Sequence, residues 1–144
     1  MTITIINYGS EAYQQMVALR MEVLRKPLGL TFAESDLKKE ETDILIGAFD
    51  NGKLIGCCIL TPKDAGTMQL RQMAVAPIAQ GQQIGTAIVT FAEKLAREKG
   101  YNLLMMHARK VAMPFYQKCG YVIRGNEFTE VGLPHFKMEK KLQS

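Results

Sequence analysis

The loop AQGQQIG, at residues 79–85, lies between a predicted strand and the start of a predicted helix. Free backbone N–H groups and the positive end of a helix dipole favour a phosphate at such a position. Glycine there removes side-chain obstruction. On its own, the spacing of Gly81 and Gly85 suits a tight turn with close helix packing equally well. The loop therefore indicates a phosphate site only in a matching context.

Two further residues could carry chemistry on different grounds. His107 ends a predicted central strand, at the edge where ligands bind in open α/β sheets, although a hydrogen-bonded structural role is the alternative. Cys119 and His107 could together suggest a cysteine hydrolase. We disfavour that hypothesis, because Cys119 falls at a packed helix end with no oriented third group in view.

The elements that position these residues follow from apolar periodicity. Strands are predicted at 2–7, 44–49, 53–60, 68–76, 101–107, 121–124 and 136–142, and helices at 12–25, 35–42, 84–99 and 111–118. Ser10 is a candidate N-cap for the first helix, and Asn51-Gly52 supplies the positive φ angles of a tight hairpin turn. The order is mixed α/β, and the unit 68–107 is where we expect the chemistry.

Composition restricts the partners and the compartment. The net charge is +4, but the cations are scattered, and the chain lacks zinc-ligand spacing and an aromatic platform, so a nucleic-acid-binding role is disfavoured. Cys57, Cys58 and Cys119 make an odd count and are expected to be reduced core residues. With neither a signal peptide nor an apolar stretch of membrane-spanning length, we expect a cytoplasmic protein without membrane or metal.

Two spaced segments carry a resemblance to a known family. The run LRQMAVAPIAQGQQIGTAIVTFAEKLAREKGY and the later segment MPFYQKCGY resemble the GNAT family of N-acetyltransferases, whose loop pattern is Gln/Arg-x-x-Gly-x-Gly/Ala. The usual alignment begins at Gln80 and places Gln83 where the middle glycine is expected; a literal match begins at Gln82. MHARKVAMPFY and VGLPHFKMEK are also similar to a bacterial branch with unassigned substrates.

The resemblance implies a fold and a co-substrate. It implies a single GNAT-like domain over residues 1–144, with a central mixed, largely antiparallel sheet of about seven strands flanked by about four helices. Acetyl-CoA would be the co-substrate, attacked directly by a primary amine in a ternary complex. A backbone N–H near Met73 would stabilise the oxyanion and Tyr116 would protonate the thiolate. The residues implied at the co-substrate are Met73, Ala74, Val75, Gln80, Gly81, Gln82, Gln83, Ile84, Gly85, Thr86 and Tyr116.

A base must deprotonate the amine, since an alkyl ammonium has a pKa near 10.4 and is mostly charged at pH 7. Gln72 cannot serve, which leaves His107, His135, Glu127 and Glu130. We favour His107 as base or substrate contact. His135, in a predicted hairpin, could contact substrate or face solvent, and the two glutamates could be solvated loop charges.

The acceptor and the assembly stay open at this stage. A small molecule is favoured over a protein, and Arg20, Glu34, Glu40 and Glu41 could line its pocket or face water. A homodimer is expected by resemblance, with the exposed last strand available for pairing. The alternative function is a non-catalytic acyl-CoA-binding or regulatory module, which would keep the loop and lack the acid.

Overall fold

A computed structural model describes residues 1–143, and Ser144 lies outside the described residues. Its strands are β1 (Thr2–Ile6), β2 (Ile44–Asp50), β3 (Lys53–Pro62), β4 (Thr67–Val75), β5 (Leu103–Arg109), β6 (Val122–Glu130) and β7 (Leu133–Lys141). They form one sheet in the order β1-β2-β3-β4-β5-β7-β6. Among the strands of residues 1–143, β4 and β5 alone pair in parallel, and a helical crossover joins them. The prediction of a largely antiparallel mixed sheet of seven strands is confirmed.

Four α-helices flank the sheet, as predicted. They are α1 (Glu11–Arg20), α2 (Glu34–Lys38), α3 (Ile84–Glu98) and α4 (Met113–Lys118). Ser10 caps α1, because its side chain accepts a hydrogen bond from the backbone N–H of Tyr13. The α-helical geometry ends at Arg20 rather than near Arg25. A π-helical turn (Met21–Arg25) and a 3-10 turn (Lys26–Leu28) continue the first helix.

The two faces of the sheet are covered by different helices. Gly56 in β3 faces α3, where a Cβ would come within 2.7 Å of Ile88. The next residue, Cys57, points to the opposite face, toward Arg20 of α1. Cys57 and Cys58 are fully buried free thiols, as predicted, and burial raises the pKa of Cys57 to about 12. The core therefore has two layers, one on each side of the sheet.

Strands β4 and β5 separate after a short parallel stretch. Their pairing covers only Thr67–Gln69 against Leu103–Met105, although β4 continues to Val75 and β5 to Arg109. β4 also contains an irregularity opposite β3, where Gln72 has a φ of 56°. The two strands thus open a wedge at their C-terminal ends, and β4 presents an edge without a partner strand among residues 1–143.

The C-terminal hairpin is longer than predicted. β6 extends to Glu130 and β7 begins at Leu133, so Glu127, Glu130 and His135 lie within strands rather than in a loop or turn. The prediction that the last strand is exposed for pairing is wrong, because β7 lies between β5 and β6. The strand edges are β1 and β6, and the homodimer stays a prediction.

No helix within residues 1–143 combines the length and the apolar character needed to span a bilayer.

Arg20 and Glu40 neither line a polar pocket nor face water. Both are buried, and Nη1 and Nη2 of Arg20 donate to the two carboxylate oxygens of Glu40 at 2.8 and 2.7 Å. The hydroxyl of Tyr13 donates to the same carboxylate at 2.8 Å. This correction has a physical reason: the ion pair satisfies both charges inside the protein and ties α1 to the turn after α2. Glu34 and Glu41 are exposed.

Candidate active site

The 79–85 loop meets α3 in a left-handed turn. Gly81 has a φ of 83° with open space around it, and Gln83, the residue before the helix, has a φ of 61°. Glycine adopts this conformation without steric cost, whereas glutamine does so at some cost. The left-handed residue therefore falls at the position where the family pattern has its middle glycine. The backbone N–H groups that begin α3 remain available as donors.

Gly85 lies in the first turn of α3, against α4. A Cβ on Gly85 would come within 3.1 Å of the Phe115 ring, closer than side chains normally approach. The two residues help to line a cavity of about 820 Å³ beside the loop. We call this the loop cavity; it is lined by Met73, Val75, Ala79, Gln80, Gly81, Gln83, Ile84, Gly85, Thr86, Val111, Ala112, Phe115 and Lys118.

A second cavity, of about 220 Å³, occupies the wedge between β4 and β5. We call it the histidine cavity, after His107 and His135 in its wall. Its wall also includes Tyr116, Glu130, three arginines from separate segments and the leucines after α1. Met73 and Ala112 line both cavities, so the two spaces meet beside the end of β4. A long molecule on the loop could therefore reach a second molecule near the histidines.

The end of β4 is braced by the loop. The Gln80 side-chain amide donates to the carbonyl oxygen of Val75 at 3.1 Å, and the Gln82 amide donates to that of Ile78 at 3.4 Å. The side chains of Gln80 and Gln82 therefore stabilise the local backbone of the loop and the end of β4. Ala74 is buried and points away from the wedge, whereas Met73 and Val75 line the loop cavity.

Tyr116 lies on α4 with only 6% of its surface exposed, in the wall of the histidine cavity. Its ring packs edge-on against Phe115 and Tyr121, at centroid distances of 5.0 and 6.0 Å. Burial raises the pKa of the phenol above its ordinary value near 10, and the nearby Cys58 and Cys119 raise it further. The phenol is therefore neutral and can donate a hydrogen bond throughout the working pH range.

Both histidines contact one carboxylate. Nδ1 of His107 lies 3.0 Å from Oε1 of Glu130, and Nε2 of His135 lies 3.6 Å from Oε2. Nδ1 of His135 lies 2.9 Å from the carbonyl oxygen of Leu133, which can only accept a hydrogen bond. Phe128 packs against both imidazoles, at centroid distances of 5.2 and 5.8 Å. The sequence analysis considered His107, His135 and Glu130 as separate candidates, and the structure places them in contact.

Other sequence candidates lie elsewhere. Glu127 pairs with Lys110 at 2.9 Å, away from the two histidines. Cys119 is placed beside Glu93 and Lys140 rather than in the histidine cavity, and burial raises the pKa of its thiol. A thiolate nucleophile is thus disfavoured there. Across residues 1–143, no three or more His, Cys, Asp or Glu side chains are grouped so as to hold a metal ion.

All three arginines that line the histidine cavity were missed by sequence reasoning, including Arg71 on β4. Arg25 lies in the π-helical turn after α1, and Arg109 ends β5. Strand alternation could have indicated Arg109, because it lies two residues after His107 and therefore on the same face of the strand. No pattern in the sequence indicated Arg25.

Comparisons with known proteins agree with this architecture. The family model described as Acetyltransferase (GNAT) family matches residues 10–121. The N-acetyltransferase YjcF of Bacillus subtilis is 29% identical over 139 residues, which cover 94% of this chain and 97% of YjcF. The protein YyaT of the same organism is 34% identical over 76 residues, and the match spans 53% of this chain and about half, 51%, of YyaT.

Solved structures show the same fold. An N-acetyltransferase from Lactobacillus plantarum superposes with a TM-score of 0.86 at 24% identity, covering 99% of this chain and 100% of that one. An aminoglycoside 6′-N-acetyltransferase complexed with coenzyme A gives a TM-score of 0.85 at 18% identity, covering 100% and 98%. The fold and the family match identify this chain as an acyltransferase. The chain belongs to the Acetyltransferase (GNAT) family.

Proposed function

We propose that this protein transfers an acetyl group from acetyl-CoA to the primary amine of a small acceptor, by direct attack in a ternary complex. The observation that carries the proposal is the meeting of the loop cavity and the histidine cavity at Met73 and Ala112. One cavity adjoins the backbone N–H groups at the start of α3, which favour a phosphate, and the other holds titratable groups. The thioester would lie where they meet, and the histidine cavity has room for a short amine.

The co-substrate would be held mainly by the backbone. Its pyrophosphate would lie on the N–H groups of Gln80 to Thr86, favoured by the left-handed residues and the helix dipole at the start of α3. Its pantetheine arm would pair with the open edge of β4 at Met73, Ala74 and Val75, like an added strand. The coenzyme A complex of the aminoglycoside acetyltransferase, which shares this fold, supports this choice of co-substrate.

Charge develops on the thioester oxygen as the amine attacks. A backbone N–H near Met73 would stabilise it, because the edge of β4 that faces β5 has no partner strand there within residues 1–143. Tyr116 would then protonate the departing thiolate. Its raised pKa makes it a weak acid, but the same buried surroundings disfavour the thiolate as well, so the transfer is less uphill than the aqueous pKa values imply.

His107 is proposed as the base for the amine. With Glu130 ionised, Nδ1 of His107 carries the hydrogen that Glu130 accepts, which leaves Nε2 free to take a proton. Glu130 would stabilise the imidazolium that forms. His135 would contact the acceptor or hold Glu130 in place, since it is buried between the carboxylate and the Leu133 carbonyl.

Calorimetric titration with acetyl-CoA and desulfo-CoA tests the co-substrate site. Gly85→Glu should abolish saturable binding, because the new side chain would enter the loop cavity toward Phe115. Thr90→Glu adds the same charge on an exposed part of α3 and serves as the matched control. Wild-type protein that binds neither ligand would refute the proposal. Binding without transfer to any amine would leave the non-catalytic acyl-CoA-binding module.

A further inference from the structure

We propose that the acceptor carries an anionic group, a carboxylate or one of similar size, as well as its amine, and that Arg25 and Arg109 bind that group. This inference rests on the proposed acetyl transfer and specifies its substrate class. Three arginines, Arg25, Arg71 and Arg109, line the histidine cavity, and Glu130 is the one carboxylate among its described lining residues. The cavity wall therefore carries an excess of positive charge.

The three arginines differ in their protein partners. Arg71 donates to Thr61 at 3.3 Å and lies 3.6 Å from a carboxylate oxygen of Asp43. Within residues 1–143, Arg25 and Arg109 have no carboxylate within 4 Å, and the buried Nε of each has no hydrogen-bond partner. Both side chains are half-buried, and removing part of a charged group from water is unfavourable unless an opposite charge compensates. An anion bound in the cavity would compensate both.

Arg20 provides a comparison, because its charge is paired with a carboxylate in the same protein. Its Nε also lacks a partner, yet its two terminal nitrogens donate to the carboxylate of Glu40. No such carboxylate faces Arg25; its guanidinium carbon lies 4.4 Å from the centroid of the Phe32 ring, and that of Arg20 lies 4.7 Å from the same centroid. The stacked ring orders the guanidinium, so that its planar fork is prepared for bidentate contact with a carboxylate.

The position of Arg109 suits an acceptor whose amine lies near His107. Arg109 and His107 are two residues apart on β5, which places them on one face with a rise of roughly 7 Å between them. Arg109 is also directly opposite His135 in the register with β7. Leu24, Leu28 and Leu30 add apolar surface to the same cavity wall. A short amine with a distal carboxylate matches this order of groups, whereas a polyamine would bring cations against arginines.

Matched acceptors test the charge preference directly. We would compare 5-aminopentanoate, its amide and 1,5-diaminopentane, and then 4-(aminomethyl)benzoate and its amide, at equal free-amine concentrations. The kcat/KM for each acid should exceed that for its amide by about tenfold or more, as charge-assisted hydrogen bonds from arginine imply. The diamine should be the poorest acceptor. Equal efficiency for acid, amide and diamine would overturn the inference and leave acetyl transfer standing.

Variants assign the preference to residues. Arg25→Gln and Arg109→Gln should each bring the acid-to-amide ratio of kcat/KM toward one, and Arg109→Lys should keep part of it because lysine retains the charge without the fork. Arg97→Gln removes an exposed charge at the far end of α3 and should leave the ratio unchanged. If the glutamine variants instead raise only the KM for acetyl-CoA, the arginines serve the co-substrate and the inference fails.

A binding measurement tests the preference for an anionic acceptor independently of acetyl transfer. Protein saturated with desulfo-CoA is titrated with 4-(aminomethyl)benzoate and with its amide, and tighter binding of the acid is expected. Indistinguishable affinities would overturn the anionic-acceptor inference even if transfer occurs. Wild-type protein that does not bind desulfo-CoA at all would refute the proposed function, and this inference with it.

Discussion

The Nδ1 atom of His107 lies 3.0 Å from Oε1 of Glu130, although β7 separates their strands in the sheet. Glu130 is the last residue of β6, and its side chain reaches back over the hairpin end toward β5. The contact fixes the imidazole and determines which nitrogen carries the hydrogen. The proposed role of His107 as base depends on this orientation.

Removing this orientation should slow the reaction. Glu130→Gln should lower kcat by about tenfold or more, and His107→Asn by about a hundredfold, because the amine loses its proton acceptor. The affinity for acetyl-CoA, measured by calorimetry, should stay the same in both. Glu127→Gln is the matched control, since Glu127 lies on the same strand and pairs with Lys110 instead. A Glu130→Gln enzyme with wild-type kcat would contradict the role.

Tyr116→Phe should reduce kcat by about a hundredfold or more if the phenol protonates the thiolate. The pH profile offers an independent check. Because burial raises the pKa of Tyr116, the phenol keeps its proton as the pH rises past 10, so wild-type activity should show no loss from its ionisation below about pH 10. Tyr121→Phe is the control: its hydroxyl donates to Glu93 at 2.8 Å, outside both cavities, and the change should affect stability rather than kcat.

Gln83→Gly should stabilise the fold by about 0.5–1 kcal/mol. The left-handed φ of 61° is unfavourable for glutamine by about 1–2 kcal/mol, and the greater freedom of glycine in the unfolded chain offsets part of that gain. Urea unfolding measures the difference. Gln82→Gly, at a neighbouring position without positive φ, should not stabilise. A destabilised Gln83→Gly variant would show that the glutamine side chain itself holds the loop.

The buried ion pair of Arg20 and Glu40 should contribute strongly to the free energy of unfolding, because it ties α1 to the turn after α2. Arg20→Met leaves Glu40 as an uncompensated buried carboxylate and should cost about 3–5 kcal/mol in the free energy of unfolding. The double variant Arg20→Met/Glu40→Met should recover part of this loss, because both charges are then absent. Asp36→Asn, which removes an exposed pair with Lys39, should change little. Equal effects of the buried and exposed changes would contradict this ranking.

Much of the fold could be predicted because its signals are local. The Asn51-Gly52 turn has both residues at positive φ, and Ser10 caps α1 as expected. The apolar periodicity of α3 also gave the correct element type. The predictions failed in the C-terminal hairpin, where β6 and β7 extend through polar residues. Strand pairing there satisfies backbone groups of residues whose side chains carry no apolar alternation.

The sequence by itself determined the elements, the family resemblance and the glycine-containing loop, since these depend on residue spacing along the chain. Tertiary structure alone decided that Glu130 contacts His107, that Arg20 forms a buried ion pair with Glu40, and that Arg25 and Arg109 line one cavity. Each of these relationships joins segments far apart in the chain. Their distances and burial depend on strand order and on the wedge between β4 and β5, and no local pattern of residues encodes which side chains that wedge brings together.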